Sequence, residues 1–135
     1  MEEKQEDKEY RIEDAELNSD NKEFMMQAIK DKATWVLAYC SDKLLEDKEL
    51  ILEAVKQDGQ ILYYASEELR DNKEIVLTAV TNKGLIFKYA SKRLRGDKEI
   101  ALAAIKQDKR AEMYVAEELR NDEEFNKLIH PPEEN

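Results

Sequence analysis

The sequence has few of the residues that carry disulfide, metal and phosphate chemistry: one cysteine, one histidine, two prolines and three glycines among 135 residues. A single cysteine, Cys40, excludes an intrachain disulfide. No spacing of Cys, Asp or Glu around His130 suggests a metal site. Gly59, Gly84 and Gly96 are isolated, which excludes a glycine-rich phosphate loop. Nothing in this pattern indicates catalysis, and we expect no enzymatic activity, cofactor or metal.

Long apolar runs are also missing. No stretch reaches the length of a transmembrane helix, and residues 1–7 are mostly charged, unlike the apolar stretch of a signal peptide. The unpaired Cys40 fits a reducing compartment. We therefore expect a soluble cytoplasmic protein that does not bind membranes. Delivery to a host cell is an alternative that the sequence leaves open.

Charge is abundant and mostly negative. Charged residues make up 40% of the chain and the net charge is −10, which argues against a general nucleic-acid binder because phosphates repel an acidic surface. The exception is residues 81–110, where nine basic residues stand against three acidic ones, a net of +6. We call residues 83–110 the basic island.

A unit of 25 residues recurs along most of the chain. Asp47-Lys48-Glu49-Leu50 returns as Asn72-Lys73-Glu74-Ile75, Asp97-Lys98-Glu99-Ile100 and Asp122-Glu123-Glu124-Phe125. The same step separates Tyr39, Tyr64, Tyr89 and Tyr114. A fixed period of this length is typical of stacked repeats, in which each unit buries its apolar face against its neighbours.

Each unit contains two helical segments. The apolar faces of the second unit are Leu50, Ile51, Ala54 and Val55 in the first segment, and Ile61, Leu62, Ala65 and Leu69 in the second. Between the segments we expect Gly59 to adopt the left-handed conformation that ends a helix. The second segment either runs through Ser66 or breaks there into a separate short turn, with the serine hydroxyl as its cap.

An Asx residue precedes each first helix and is expected to cap its first turn. These residues are Asn21, Asp47, Asn72, Asp97 and Asp122. The Glu two positions further on lies near the positive end of the helix dipole. One arginine near the end of each unit is expected to form an ion pair with this glutamate column rather than to bind an anionic ligand. The arginines are Arg70, Arg95 and Arg120, and the glutamates are Glu49, Glu74, Glu99 and Glu124.

The repeats predict an all-α fold: a solenoid, or superhelix, of about four short antiparallel helix pairs with irregular terminal caps. We place this single domain at residues 10–130. Its units are at about 20–45, 46–70, 71–95 and 96–120, followed by a terminal cap helix at 121–130. The acidic tail at 1–9 and the tail at 131–135 are expected to be disordered.

Two segments resemble a known repeat family. Leu52-Glu53-Ala54-Val55-Lys56-Gln57-Asp58-Gly59 and Tyr64-Ala65-Ser66-Glu67-Glu68-Leu69-Arg70-Asp71 are similar to the repeat of the family known as domain of unknown function 4116. The resemblance covers residues 20–129. The first unit departs by one extra residue, and the fourth has Lys109 and Ala116 in place of glycine and serine. The resemblance implies a helical repeat and transfers no catalytic residues.

One set of positions in the second segments changes chemical type from unit to unit, and we call it the stripe. It comprises Trp35, Ala38 and Asp42; Gln60, Tyr63 and Glu67; Leu85, Lys88 and Lys92; Arg110, Met113 and Glu117. Packing demands are uniform along a stack, so variable positions are expected to face solvent. They form either plain solvated surface or a recognition surface. Trp35 is expected to be covered by Tyr10, Ile12 or Leu17.

We therefore expect a monomeric, non-catalytic module that binds a protein or peptide. Its expected partner-binding residues are Trp35, Tyr63, Lys88, Lys92, Arg110 and Met113, and an acidic partner fits the charges among them. One alternative is a scaffold segment of an effector or regulatory protein. Another is an anion or RNA-backbone binder that uses the basic island.

Overall fold

The computed structural model describes residues 9–133; most of the predicted tails, residues 1–8 and 134–135, lie outside the described residues. The fold is all-helical, with 74% of residues in helices and no strand in the described part, which confirms the predicted class. The helices pack against their neighbours along the chain as in a solenoid. Between residues 9 and 133, no helix has the length and apolar character needed to cross a membrane.

Three kinds of helix alternate along the chain. A first α-helix, α1 (Ile12–Leu17), precedes the repeats. The long α-helices are α2 (Lys22–Lys30), α4 (Lys48–Gln57), α6 (Lys73–Asn82), α8 (Lys98–Gln107) and α10 (Glu123–Ile129). The six-residue 3₁₀ helices are η1 (Thr34–Tyr39), η2 (Gly59–Tyr64), η3 (Gly84–Tyr89) and η4 (Lys109–Tyr114). The one-turn α-helices are α3 (Asp42–Leu45), α5 (Glu67–Arg70), α7 (Lys92–Arg95) and α9 (Glu117–Arg120).

Side-chain caps set where the long helices begin. In each of them the preceding Asx oxygen accepts a hydrogen bond from the backbone N–H three residues later. The bond from Leu50 to Asp47 is 3.0 Å long, and the bond from Phe125 to Asp122 is 2.8 Å long. The predicted Asx caps are therefore confirmed, and they fix the register of every repeat.

The second segment of each unit is a 3₁₀ helix followed by a separate one-turn α-helix. The break is an extended residue, Ala65 in the second unit, with φ −67° and ψ 153°. Ser66 then caps α5 by accepting from the N–H of Leu69 at 3.3 Å, and Ser41 and Ser91 cap α3 and α7 in the same way. The alternative in which the segment breaks at this serine is thus the one that occurs.

The expected left-handed conformation of Gly59 was wrong. No glycine has a positive φ in the described residues; the turn is made by an extended residue, such as Asp58 with φ −146° and ψ 104°. Gly59 and Gly84 are needed for another reason. A β-carbon at either position would overlap the carbonyl oxygen of Ala79 or Ala104 in the next long helix.

The solenoid has two layers with the core between them. The long helices stack in sequence in one layer, and the 3₁₀ helices stack in sequence in the other. Small residues of the long helices, among them Ala54, Ala79 and Ala104, are fully buried where the layers meet. Large side chains fill the remaining space, with Phe87 of η3 and Phe125 of α10 fully buried. This alternation of small and large residues is what close packing between layers requires.

Two ladders of contacts join successive units. In the backbone ladder, the N–H of Ser91 donates to the carbonyl of Arg70 at 2.9 Å, and the equivalent bond joins Ala116 to Arg95 at 3.0 Å. In the charge ladder, the lysine that opens one long helix reaches the acidic start of the next. Lys73 lies 3.1 Å from Asp97 and 3.0 Å from Glu99.

The expected pairing of arginines with the glutamate column was wrong, because the lysine ladder occupies those glutamates. Lys22, Lys48, Lys73 and Lys98 pair with Glu49, Glu74, Glu99 and Glu124. Two of the three arginines bond to backbone carbonyls instead. Arg95 donates to Tyr114 at 3.3 Å, whereas Arg120 donates to Met113 and Val115 of its own unit.

The first unit contains the extra residue. The chain passes between α2 and η1 through Lys32, whose φ of 73° is the one positive value among the described non-glycine residues.

The prediction that residues of the N-terminal segment cover Trp35 was wrong. Tyr10 packs edge-on against Phe24, with ring centroids 5.7 Å apart, and Leu17 is 85% exposed. Trp35 keeps 41% of its surface accessible.

Candidate functional site

The 3₁₀ helices bring the stripe to the surface. Such a helix has three residues per turn, so side chains at positions i and i+3 lie one above the other. The stripe positions of each 3₁₀ helix are spaced in this way, and all of them are exposed except Leu85, which is half-buried. The expectation that the stripe faces solvent is confirmed. We call the surface presented by η1–η4 the 3₁₀ face.

Most exposed large apolar side chains lie on this face. They are Trp35 on η1, Tyr63 and Tyr64 on η2, and Met113 on η4, whereas Ile12, Leu17 and Leu128 lie on the terminal helices α1 and α10. Tyr63 is 53% exposed and Met113 is 66% exposed. In the described residues, the long helices α2, α4, α6 and α8 expose no such side chain. The apolar exposure of the repeats is therefore one-sided.

Tyr63 is the centre of a small aromatic cluster. Its ring meets Tyr64 edge-on at 5.3 Å and Tyr89 of the next unit at 5.0 Å, both measured between ring centroids. The ammonium group of Lys88 lies 5.0 Å from the centroid of Tyr89, within the range of a cation–π contact. Trp35 makes a separate edge-on pair with Tyr39 at 6.0 Å.

A groove of about 360 Å³ runs beside this cluster, where η2, η3, η4 and the end of α8 meet. Its polar and aromatic lining comprises Gln60, Lys83, Lys88, Tyr89, Gln107 and Arg110. Two of the predicted partner-binding residues, Lys88 and Arg110, therefore share one groove. Tyr63 adjoins the groove through its contact with Tyr89. Met113 and Arg110 line a second, shallow depression on η4.

The cations of the face differ in their pairing. Arg110 is tied to Asp108 of its own turn by two bonds, of 3.1 Å from Nε and 2.8 Å from an Nη, which hold the pKa of Asp108 below its ordinary value. Lys83 pairs with Asp58 at 3.0 Å. Lys88 and Lys92 make no ion pair with any described residue. Of the predicted cations, Lys88 and Lys92 are thus the available ones.

Sequence reasoning missed Tyr89 and Gln107 as parts of this site. Gln107 belongs to a column with Gln57 and Asn82, so every full repeat after the first ends its long helix with a side-chain amide. Two of these amides accept from the backbone N–H of the preceding unit's 3₁₀ helix: Asn82 from Gly59 at 2.7 Å, and Gln107 from Gly84. The recurring amide was a usable signal for a contact at this edge.

Other chemistry-bearing residues have structural surroundings. Burial raises the pKa of the Cys40 thiol to about 12, which leaves it protonated and unreactive at neutral pH. His130 contacts the carboxylate of Glu112 on the surface. Residues 9–133 contain no group of three His, Cys, Asp or Glu side chains that could hold a metal ion.

The model of one family, described as a domain of unknown function (DUF4116), matches residues 21–70, 72–111 and 97–129. The chain belongs to the DUF4116 family. The three matches, of which the last two overlap, agree with a repeated domain and cover the stacked units described above. No curated protein and no solved structure matches the chain. Membership in DUF4116 supports the repeat architecture and leaves the function to be argued from the 3₁₀ face.

Proposed function

We propose that this DUF4116 protein is a non-catalytic module that binds a segment of another protein along its 3₁₀ face. One observation carries the proposal: the large apolar side chains that the four repeats expose lie on the 3₁₀ helices, and the long helices α2, α4, α6 and α8 expose none among the described residues. Tyrosine and methionine are enriched at protein interfaces, while lysine is depleted there. The 3₁₀ face exposes the interface-enriched types at Tyr63 and Met113. Lys88 and Lys92 form a charged margin beside them.

The repeat-to-repeat variation favours the same conclusion. The Asx caps and the tyrosine column recur in every unit because each has the same structural task. The stripe changes from Trp35 to Gln60, Leu85 and Arg110 at equivalent positions, which packing does not require. Variable positions on a regular scaffold are how repeat proteins carry a specific binding surface.

We place the protein in the cytoplasm, where the unpaired Cys40 stays reduced.

Two rivals make different demands on this surface. A scaffold segment of an effector or regulatory protein needs only the regular stack, so truncating exposed side chains would leave its role intact. An anion or RNA-backbone binder needs several free cations, yet Lys83, Arg93, Lys98 and Arg110 of the basic island are already paired with carboxylates. The pairing of these cations lowers the positive potential that phosphates require.

The experiment is selection of short random peptides displayed on phage against the immobilised protein. Selected peptides are then synthesised and titrated against the variant Tyr63→Ala/Met113→Ala. Loss of two exposed anchors should weaken binding roughly tenfold or more. The matched control, Ile12→Ala/Leu128→Ala, removes exposed apolar side chains from the terminal helices α1 and α10 and should leave affinity unchanged. Failure to recover any peptide, or an equal loss in both variants, would overturn the proposal.

A titration with polyuridylate tests the alternative function, binding of an RNA backbone. Its binding should fall steeply as salt concentration rises, because phosphate contacts release counterions. Binding of the selected peptides should respond much less to salt, since part of it rests on apolar contact. Strong polyuridylate binding that is lost in Lys88→Glu/Lys92→Glu would support the rival instead.

A further inference from the structure

The groove between η3 and η4 is rich in hydrogen-bond donors. The side-chain oxygen of Gln107 accepts from the backbone N–H of Gly84, so its amide nitrogen remains as a free donor on a side chain that lines the groove. Gln60, an exposed residue of η2 that also lines the groove, makes no side-chain hydrogen bond within residues 9–133. The ammonium of Lys88 adds a third donor with no ion-pair partner.

Charge in the groove opposes that of the chain as a whole. Its lining contains three cations, Lys83, Lys88 and Arg110, and one carboxylate, Asp108, which is a net of +2, or +1 when Asp58, the ion-pair partner of Lys83, is included; the whole chain carries −10. The carboxylate of Asp108 is occupied by Arg110. A group that enters the groove therefore meets unsatisfied donors and a positive local field, and it finds no free acceptor among the charged lining residues.

Tyr89 links this groove to an apolar support. Its ring lines the groove, lies beside Lys88 and meets the exposed ring of Tyr63 edge-on. Lys88 and Tyr63 thus contact the same tyrosine and offer a charged and an apolar contact side by side. Such a pair fixes the direction of a bound chain as well as its position.

We propose that the groove takes a carboxylate from an acidic segment of a partner protein, while a neighbouring apolar side chain of that segment packs on Tyr63. This assignment rests on the proposed function and specifies the partner's chemistry. Lys88 and the amide of Gln107 supply the donors that a carboxylate needs. Charge complementarity selects this occupant, because the groove is a local cationic site on an anionic protein.

A polyanion such as RNA fits this surface less well than an isolated carboxylate. The one-turn helices α5 and α9 begin with the exposed stripe residues Glu67 and Glu117, and α7 between them begins with Lys92. A chain of phosphates that followed the stripe would meet these two carboxylates as well as the cations. A peptide can place one or two acidic residues at the groove and neutral residues elsewhere.

The test uses peptides selected from the random phage library on the full chain, in a double-mutant cycle. We expect the selected peptides to combine Asp or Glu with an aromatic or large aliphatic residue. Replacing the peptide's Asp or Glu by Asn or Gln should weaken binding to the native protein roughly tenfold. The same replacement should have almost no effect on binding to Lys88→Gln. The control variant Lys127→Gln, on α10, should retain the full tenfold loss.

A charge swap gives a second readout. Lys88→Glu should bind the original peptide poorly and should regain affinity when the peptide's acidic residue is replaced by Lys, an outcome that mere disturbance of the fold does not produce. Neutral or basic peptides that still require Tyr63 would overturn the carboxylate assignment and leave the proposed function intact. Peptides insensitive to both Tyr63 and Met113 would overturn both. Polyuridylate binding that depends on Lys88 would assign the groove to phosphate instead.

Discussion

The backbone of Gly84 packs against the carbonyl oxygen of Ala104 in the following unit, so closely that a β-carbon on residue 84 would overlap that oxygen. The same relationship joins Gly59 to Ala79. Each glycine opens a 3₁₀ helix and lets the next long helix approach its backbone. Lys109 occupies the equivalent position of the fourth unit, where it is exposed. Thr34 occupies it in the first unit, so the close approach that requires glycine belongs to the second and third units.

Gly84→Ala should therefore destabilise the protein by about 2 kcal/mol, since the layers must separate to admit the β-carbon. Gly96→Ala is the matched control. Its β-carbon would meet neighbours at 3.5 Å, and its φ of −98° suits alanine. Lower backbone entropy in the unfolded chain should make Gly96→Ala neutral or stabilising by about 0.5 kcal/mol. Urea unfolding measures both, and equal effects would show that the close approach is not required.

The small-residue column of the long helices makes a second prediction. Ala79 is fully buried between layers, so Ala79→Leu should cost about 1–3 kcal/mol by overpacking. Thr78 beside it is partly exposed, and its hydroxyl donates to the carbonyl of Glu74 in its own helix at 2.8 Å. Thr78→Leu should change stability by less than about 0.5 kcal/mol. Similar losses in urea unfolding would contradict the assigned core face.

Acid should weaken the repeats through their caps. Burial tends to raise the pKa of Asp47 and Asp97, but bonds from the capped backbone and from Lys22 or Lys73 outweigh it and lower both pKa values below 3.8. The bond from Phe125 is the main cause of the lowered pKa of Asp122. Because these pKa values are lower in the folded chain, the stability they contribute is present above pH 3.8 and is lost as pH falls further.

The triple variant Asp47→Asn/Asp97→Asn/Asp122→Asn keeps a side-chain cap at each helix, as Asn21 and Asn72 do naturally. It removes the three carboxyl groups that would be protonated in acid. Its free energy of unfolding should fall less between neutral and acidic pH than that of the native chain. Thermal unfolding at a series of pH values measures the difference. An identical acid dependence in both proteins would rule out the caps as its source.

Local signals made the architecture predictable. An Asx cap and the N–H it binds are three residues apart, as in Asp47 and Leu50, so the sequence alone identifies them. Gly59 was misinterpreted because its partner Ala79 lies twenty residues away in another layer. Local turn chemistry says nothing about that approach. The arginine pairing failed similarly, since two basic columns competed for one glutamate column and only the stacking geometry decides between them.

The candidate site was predictable in part for the same reason. The exposed stripe follows from spacing within one 3₁₀ helix, and the sequence identified Tyr63 and Lys88 on it. The groove also needs Gln107, which comes from the end of a long helix in the next unit. The sequence also predicted Arg110 as a partner-binding cation. Its guanidinium is bonded to Asp108, and the position of Arg110 in the stripe does not reveal those bonds.

We propose that the 3₁₀ face binds the partner and that the long helices only support it. The most direct test is an NMR titration that maps a selected peptide by the changes in backbone amide chemical shifts. Shifts should concentrate in η2, η3 and η4, with Tyr63, Lys88 and Met113 among the residues most affected. The long helices should change little, apart from the end of α8 that carries Gln107. Shifts centred on the exposed sides of α4, α6 and α8, with the 3₁₀ helices unaffected, would contradict the proposal.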